Sequence, residues 1–248
     1  VSNNDINTFS STNSKDDVGL GLKVNYDNNI LLQKTKSKDS LSHDLSLITN
    51  VNYEYVQNYF SPIERYRTIE FERDWNRGTV AAVTDDQHII GAGLGLMQKG
   101  IGAIGYKFNA FLEGSSYNAN KHNADLNFSN KGLTLQYNGS LLNSLSTQNT
   151  NFYRHKSLVS QKIKWITIGA KDEFEQNKFS LSKRDSLLSN SYQFWEWQAF
   201  AQNSDTTKNR YGLTYKQRTD YAIKNLITST NLRRAAFAES YGDRKSVV

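Results

Sequence analysis

The clearest pattern in the chain is an alternation of apolar with small or polar residues between His88 and Glu113. Ile90, Ala92, Leu94 and Leu96 share one parity, with Gly91, Gly93 and Gly95 on the other. After Gln98-Lys99-Gly100 the alternation resumes, with Ile104, Tyr106, Phe108, Ala110 and Leu112 set against Gly105, Lys107, Asn109 and Glu113. A period of two puts alternate side chains on opposite faces of a strand, so this stretch predicts a hairpin with one apolar and one small-or-polar face.

The same pattern recurs along the chain. Val18, Leu20, Leu22, Val24 and Tyr26 alternate with Gly19, Gly21, Lys23 and Asn25, and Asp27-Asn28-Asn29 reads as a turn before a return strand over 30–36. Leu45, Leu47, Val51, Tyr53 and Tyr55 form the apolar face of a long strand. Over 64–76, Ile69, Phe71 and Trp75 oppose an acidic face of Thr68, Glu70, Glu72 and Asp74. Further strands are predicted near 124–129, 133–141, 152–163, 165–175, 195–201, 211–215 and 228–239, with polar loops over 114–121, 143–151 and 176–190. The total is about 12 strands of roughly 9–11 residues, the length that crosses a bilayer when tilted. An all-β, antiparallel, up-and-down transmembrane β-barrel, or an open part of a larger barrel, is the fold class this predicts.

Composition sharpens that picture. The chain has 248 residues, no cysteine and one proline. Lack of cysteine excludes a disulfide framework and a thiolate metal site. Proline cannot donate to a ladder, so its scarcity suits a chain that is mostly paired strand. The mean hydropathy of −0.67 would fit a poorly cored chain, yet 12% of residues are aromatic. A barrel reconciles the two, because only every second residue in its membrane band must be apolar. The net charge of +6 is dispersed, with no basic block and no nucleic-acid module, so nucleic acid is not expected as a partner. No apolar run is long enough for a membrane helix, and no signal peptide is visible. Residues 1–16 read as a polar loop or the tail of an upstream strand, and 17–242 as barrel wall. Residues 243–248, Asp-Arg-Lys-Ser-Val-Val, look like a translated sequencing-adapter oligonucleotide, so the expectation is a fragment whose coding sequence stops near Gly242.

Catalytic and cofactor chemistry is not predicted. His43, His88, His122 and His155 lack metal-ligand spacing. His155-Lys156-Ser157 has the spacing found in outer-membrane phospholipases, but Leu158-Val159 stands where that family carries Asn-Gly. Asp85-Asp86-Gln87-His88 resembles the Asp and His pairs of outer-membrane aspartyl-type proteases only loosely, since adjacent strand aspartates face opposite ways. Gly91, Gly93 and Gly95 alternate within a strand and open no helix, which excludes a dinucleotide cradle. No cofactor is expected.

In strand pattern and aromatic placement, over about residues 17–239, the chain resembles Gram-negative bacterial outer-membrane β-barrel proteins as a broad class. The resemblance implies an outer-membrane location, contact with lipid and lipopolysaccharide, and insertion by the barrel-assembly machinery. The expected lipid-facing residues are Leu20, Leu22, Val24, Leu45, Leu47, Val51, Ile90, Leu94, Leu96, Ile104, Phe108 and Leu112. The expected aromatic girdle is Tyr26, Tyr53, Tyr55, Trp75, Tyr106, Tyr137, Trp195 and Trp197. A lumen charge ladder is expected from Glu70, Glu72, Asp74, Arg73 and Lys107. The expected function is a channel, transport or envelope-assembly role without catalysis. The alternative is a soluble extracellular β-sandwich or β-sheet binding or adhesive protein, in which the apolar faces turn inward.

Overall fold

The computed structural model describes residues 2–3, 18–34, 44–60, 71, 74–77, 85–181, 184–188, 190–203, 211–222 and 231–241. In chain order the strands are β1 (Ser2–Asn3), β2 (Val18–Gly19), β3 (Gly21–Gln33), β4 (Leu45–Val56), β5 (Gln87–Gln98), β6 (Gly102–Glu113) and β7 (Tyr117–Asn130). They continue as β8 (Leu133–Leu145), β9 (Gln148–Ile163), β10 (Ile166–Leu181), β11 (Arg184–Leu187), β12 (Tyr192–Asn203), β13 (Gly212–Ala222) and β14 (Asn231–Tyr241). β1 and β2 form a small separate ladder. The remainder is one antiparallel up-and-down sheet in the order β14-β13-β12-β10-β9-β8-β7-β6-β5-β4-β3, with β11 paired to β10. β3 and β14 are its edges, and no ladder joins them among the described residues, so the sheet is open. The chain is therefore all-β and antiparallel with sequential hairpins, as the alternation predicts.

Local chemistry sets the tight turns. Asn130-Lys131-Gly132 turns β7 into β8 with positive φ at both Lys131 (47°) and Gly132 (84°), the mirror-image geometry whose twist matches the flanking strands.

Several predicted breaks are absent. Asp27-Asn28-Asn29 lies inside β3, where it pairs with Asn50, Thr49 and Ile48. The loop over 143–151 shrinks to Ser146 and Thr147, and β7 begins at Tyr117, inside the loop expected over 114–121. One physical reason covers these corrections. Polar residues favour turns only where the backbone lacks a better partner, and here an adjacent strand supplies it. On β7–β9, for example, Asn120, Asn143 and Asn151 sit in register, and their amides form a ladder, with Asn151 Nδ2 donating to Asn143 Oδ1 at 2.5 Å. Of the strand expected over 64–76, only Phe71 and Asp74–Asn76 are described, and with Arg77 these form a helical turn closed by Trp75 N donating to Phe71 O at 3.2 Å. Residues 1, 4–17 and 242–248 lie outside the described residues, as does the short apolar run over 80–83.

That helical turn defines an inner face. Trp75 packs with Ile89, Phe111, Tyr117, Ala119 and Leu142 in a buried cluster, flanked by Phe71 and Phe152. Strand alternation then assigns every other side chain of β3–β13 to this inner face or to the outer one. Phe111 is fully buried, with edge-on contacts to Phe71 and Trp75 at 5.5 and 5.4 Å between centroids. Truncating it leaves a cavity that a sheet cannot collapse to fill. Phe111→Ala is expected to destabilise the fold by about 3–5 kcal/mol, read as a lowered urea midpoint at unchanged slope.

Candidate functional site

The inner face is polar away from the buried cluster. Its next row runs Lys107, Asn123, Ser140, Arg154 and Glu175 across β6–β10. Lower, Lys156, Glu173, Glu196 and Arg218 stand side by side on β9, β10, β12 and β13. Lys156 Nζ pairs with Glu173 Oε1 at 2.8 Å, and Lys216 Nζ with Glu196 Oε1 at 2.7 Å. Arg218 reaches Glu196 at 4.0 Å and Asp220 at 2.9 Å. Opposite charges across adjacent strands stabilise the register they sit in.

The glycines of β5 and β6 make room on this face. A Cβ at Gly91 would collide with Asn52 Oδ1, and one at Gly105 would lie 2.7 Å from Asp125 Oδ1. The glycine-lined face is thus overlaid by neighbouring polar side chains.

The helical turn folds onto this wall and is fastened residue by residue. Arg77 Nη2 pairs with Glu113 Oε2 at 2.5 Å, the two side chains being 13% and 2% exposed. The guanidinium also lies over the Phe111 and Tyr117 rings at 5.1 and 5.2 Å. Tyr117 donates its hydroxyl to Trp75 O, and Asn76 Nδ2 donates to Thr150 Oγ1 at 3.4 Å. Asn76 takes φ of 49°, a left-handed conformation that asparagine tolerates. Lys121 Nζ, on β7, sits 3.9 Å from Asp74 Oδ1 and donates to Asp74 O at 3.4 Å. Where the chain returns to β5, Asp86 accepts from Asn58 N at 3.0 Å and from Tyr55 Oη at 2.7 Å. The backbone amide of Asn58, more than the tyrosine hydroxyl, holds the Asp86 carboxyl below the usual carboxylate range.

The outer face carries a different chemistry. Leu22, Val24, Leu45, Leu47, Val51, Ile90, Leu94, Leu96, Ile104, Phe108 and Leu112 share it by register. Leu20, between β2 and β3, is exposed. Tyr26, Tyr53, Tyr55, Tyr106, Tyr137, Trp195 and Trp197 are also on the outer face. Each described histidine joins this aromatic row by meeting a tyrosine hydroxyl: His88 with Tyr53 at 2.9 Å, His122 with Tyr106 at 2.6 Å, and His155 with Tyr153 at 3.0 Å. His155 Nε2 also meets Asp172 Oδ2 at 2.6 Å, and the other oxygen of that carboxylate accepts from Trp195 Nε1. His43 lies outside the described residues.

The row crosses the ladder obliquely. The outer row of Tyr53 reads Ile90, Ala110, Asn120, Asn143 and Asn151, losing its aromatic character by β7. The row of Tyr106 continues through Ala124 and Gly139 to His155, Phe174 and Trp195. The aromatic row therefore shifts along the strands from β4 to β12 instead of following one line of register partners.

Two expectations are corrected. Trp75 is not on the outer face: it is 6% exposed within the inner cluster. Asp74 is not on a strand but on the helical turn, where it meets Lys121. Glu70, Glu72 and Arg73 lie outside the described residues, and Lys107 lies on the inner face. The charged row actually assembled there, Lys156-Glu173-Glu196-Arg218, was missed by sequence reasoning. Its one signal was charge at alternate positions (Arg154 and Lys156; Glu173 and Glu175), visible before the pairing was known. No metal-binding cluster of three or more acidic, histidine or cysteine residues occurs among the described residues.

No protein-family model matches the chain, and neither a curated protein nor a solved structure matches it.

The fastening of the helical turn is open to measurement. Arg77→Ala strands the Glu113 carboxylate in a buried site and is expected to cost about 3–5 kcal/mol, whereas Arg77→Met with Glu113→Leu should recover most of that loss in the same unfolding assay. Asp86, its carboxyl depressed, stabilises the loop above the ordinary carboxylate value near 3.8 and loses that contribution as pH falls through its folded value. Amide exchange at Asn58 should therefore accelerate on acidification below about pH 4 beyond the intrinsic rate, and Asp86→Asn should remove that dependence.

Proposed function

We propose that this sheet is the wall of a transmembrane β-barrel in a bacterial outer membrane, and that it serves as a solute channel. One observation carries the reading: the outer face exposes its aliphatic residues, while the charges of β3 to β10, β12 and β13 lie on the inner face, with Asp172 and Lys178 the exceptions. Leu94, Ile104 and Val51 are 62%, 54% and 52% exposed. No second apolar layer covers them among the described residues. A β-sandwich would have turned these side chains into its core. The oblique row of tyrosine, histidine and tryptophan suits a membrane interface, where rings are apolar at one end and wet at the other.

The open edges support closure, because unpaired strand edges cannot face lipid. Either β14 meets β3, closing a ring of 11 strands with one parallel seam, or further strands complete a wider ring with the even strand number usual for bacterial barrels. Lipid and lipopolysaccharide then bound the outer face, and barrel-assembly machinery inserts the chain. The inward-folded turn would narrow the lumen beside the buried cluster, in keeping with transport rather than catalysis.

Substitution on the two faces separates this reading from a soluble sheet. In lipid vesicles, Leu94→Arg and Ile104→Arg are expected to lower unfolding free energy by about 2–4 kcal/mol each, with Asn127→Arg, on the inner face between Ala103 and Gln136, close to neutral. A soluble protein with Leu94 exposed to water would tolerate Leu94→Arg without loss, and such tolerance, together with folding in detergent-free buffer, would sink the membrane reading.

A further inference from the structure

Below the helical turn, the inner face gathers positive charge on neighbouring strands. Lys107 on β6 pairs in register with Asn123, which pairs with Ser140, which pairs with Arg154 on β9. Lys121 lies one step along the same face of β7, opposite Asn109. All three side chains share the parity of Phe111, Ala119 and Phe152, which pack against the inward-folded turn. They are mutually close enough that Lys107 and Arg154 both repel the Lys121 ammonium. Lys107 and Arg154 are exposed. Among the described residues neither has a carboxylate within ion-pair distance, although Glu175 stands across from Arg154 in register and accepts the Tyr192 hydroxyl.

Like charges so placed destabilise one another unless something negative sits between them. Elsewhere on this face the fold provides it, as in the Lys156–Glu173 and Lys216–Glu196 pairs. At this cluster Asp74 alone makes an ion pair, reaching Lys121 at 3.9 Å with its own side chain 56% exposed, while Glu175 across from Arg154 and Asp125 one step along β7 from Asn123 stay beyond ion-pair distance of the three cations. The remaining side chains between the cations, Asn109, Asn123 and Ser140, are neutral hydrogen-bonding groups. The composition is that of an anion site: one planar guanidinium fork, two ammonium point charges and uncharged donors around them.

We propose that Lys107, Lys121 and Arg154 form a binding site for a small, multiply charged phosphate-bearing solute on the inner face, with Asp74 as a tethered carboxylate that competes for it. The inference rests on the channel reading, since it names the class of solute the lumen favours. The Asp74 carboxylate then tunes affinity: it neutralises part of the cluster when the site is empty and is displaced from Lys121 when the solute enters.

The test uses the whole chain refolded into planar bilayers, with inorganic tripolyphosphate as the probe. Expected are discrete conductance steps, a reversal potential in a potassium chloride gradient that favours chloride, and block by tripolyphosphate. Lys107→Gln and Arg154→Gln should each raise the half-blocking concentration about tenfold, the loss of one charge at this range, and Asp74→Asn should lower it. Heat-modifiable gel migration, unchanged in each variant, controls for folding. Conductance that favours potassium, or block indifferent to all three substitutions, overturns the site and leaves the channel standing. Absence of any conductance steps from a correctly folded, heat-modifiable protein overturns both.

Discussion

Each strand from β4 to β10 hydrogen-bonds to a neighbour on both sides, and strict alternation along those strands assigns every side chain to one of two environments. This coupling of ladder to parity is the constraint on which the rest depends. It removes the need for a large apolar core: the buried cluster around Phe111 is small, and the rest of the sheet is held by its backbone. It also fixes register, because a slip of one residue would drive Leu94 and Ile104 onto the charged face and Lys107 onto the apolar one.

Within that frame, the inward-folded turn is the one place where the two-faced rule gives way to three-dimensional packing. Its side chains act as a set. Trp75 supplies apolar surface, Arg77 neutralises a carboxylate that would otherwise be buried alone, and Asp74 reaches outward to Lys121. The segment therefore brings charge of both signs to a wall that already carries both, and the local balance around Lys107, Lys121 and Arg154 departs from the evenly paired rows below it.

Much of the architecture was legible because parity survives into structure: the hairpin of β5 and β6 is where the alternation placed it, and so are the faces of Leu94 and Lys107. The helical turn was not legible for a geometric reason. Phe71 and Trp75 are four apart, and four is both an even number of strand residues and close to one turn of helix, so one spacing fits two conformations. Asp27-Asn28-Asn29 misled differently, since turn chemistry carries no knowledge of the partner strand that overrides it. The cationic cluster could not be found from spacing at all. Lys107, Lys121 and Arg154 become neighbours only through the registers of β6 with β7 and of β8 with its two flanking strands.

The oblique aromatic row has a mechanical consequence. β5 reaches that row at His88, its second residue, whereas β9 runs from Gln148 through Phe152 before meeting it at Tyr153. At about 3.4 Å per residue, β9 extends roughly 14 Å further past the row than β5 does, measured along the strand. That end of the sheet is uneven, and the inward-folded turn leans on its longer side through Phe152 and Thr150. A force applied to that projecting hairpin reaches Trp75 through side-chain contact alone, without first deforming the aliphatic belt below.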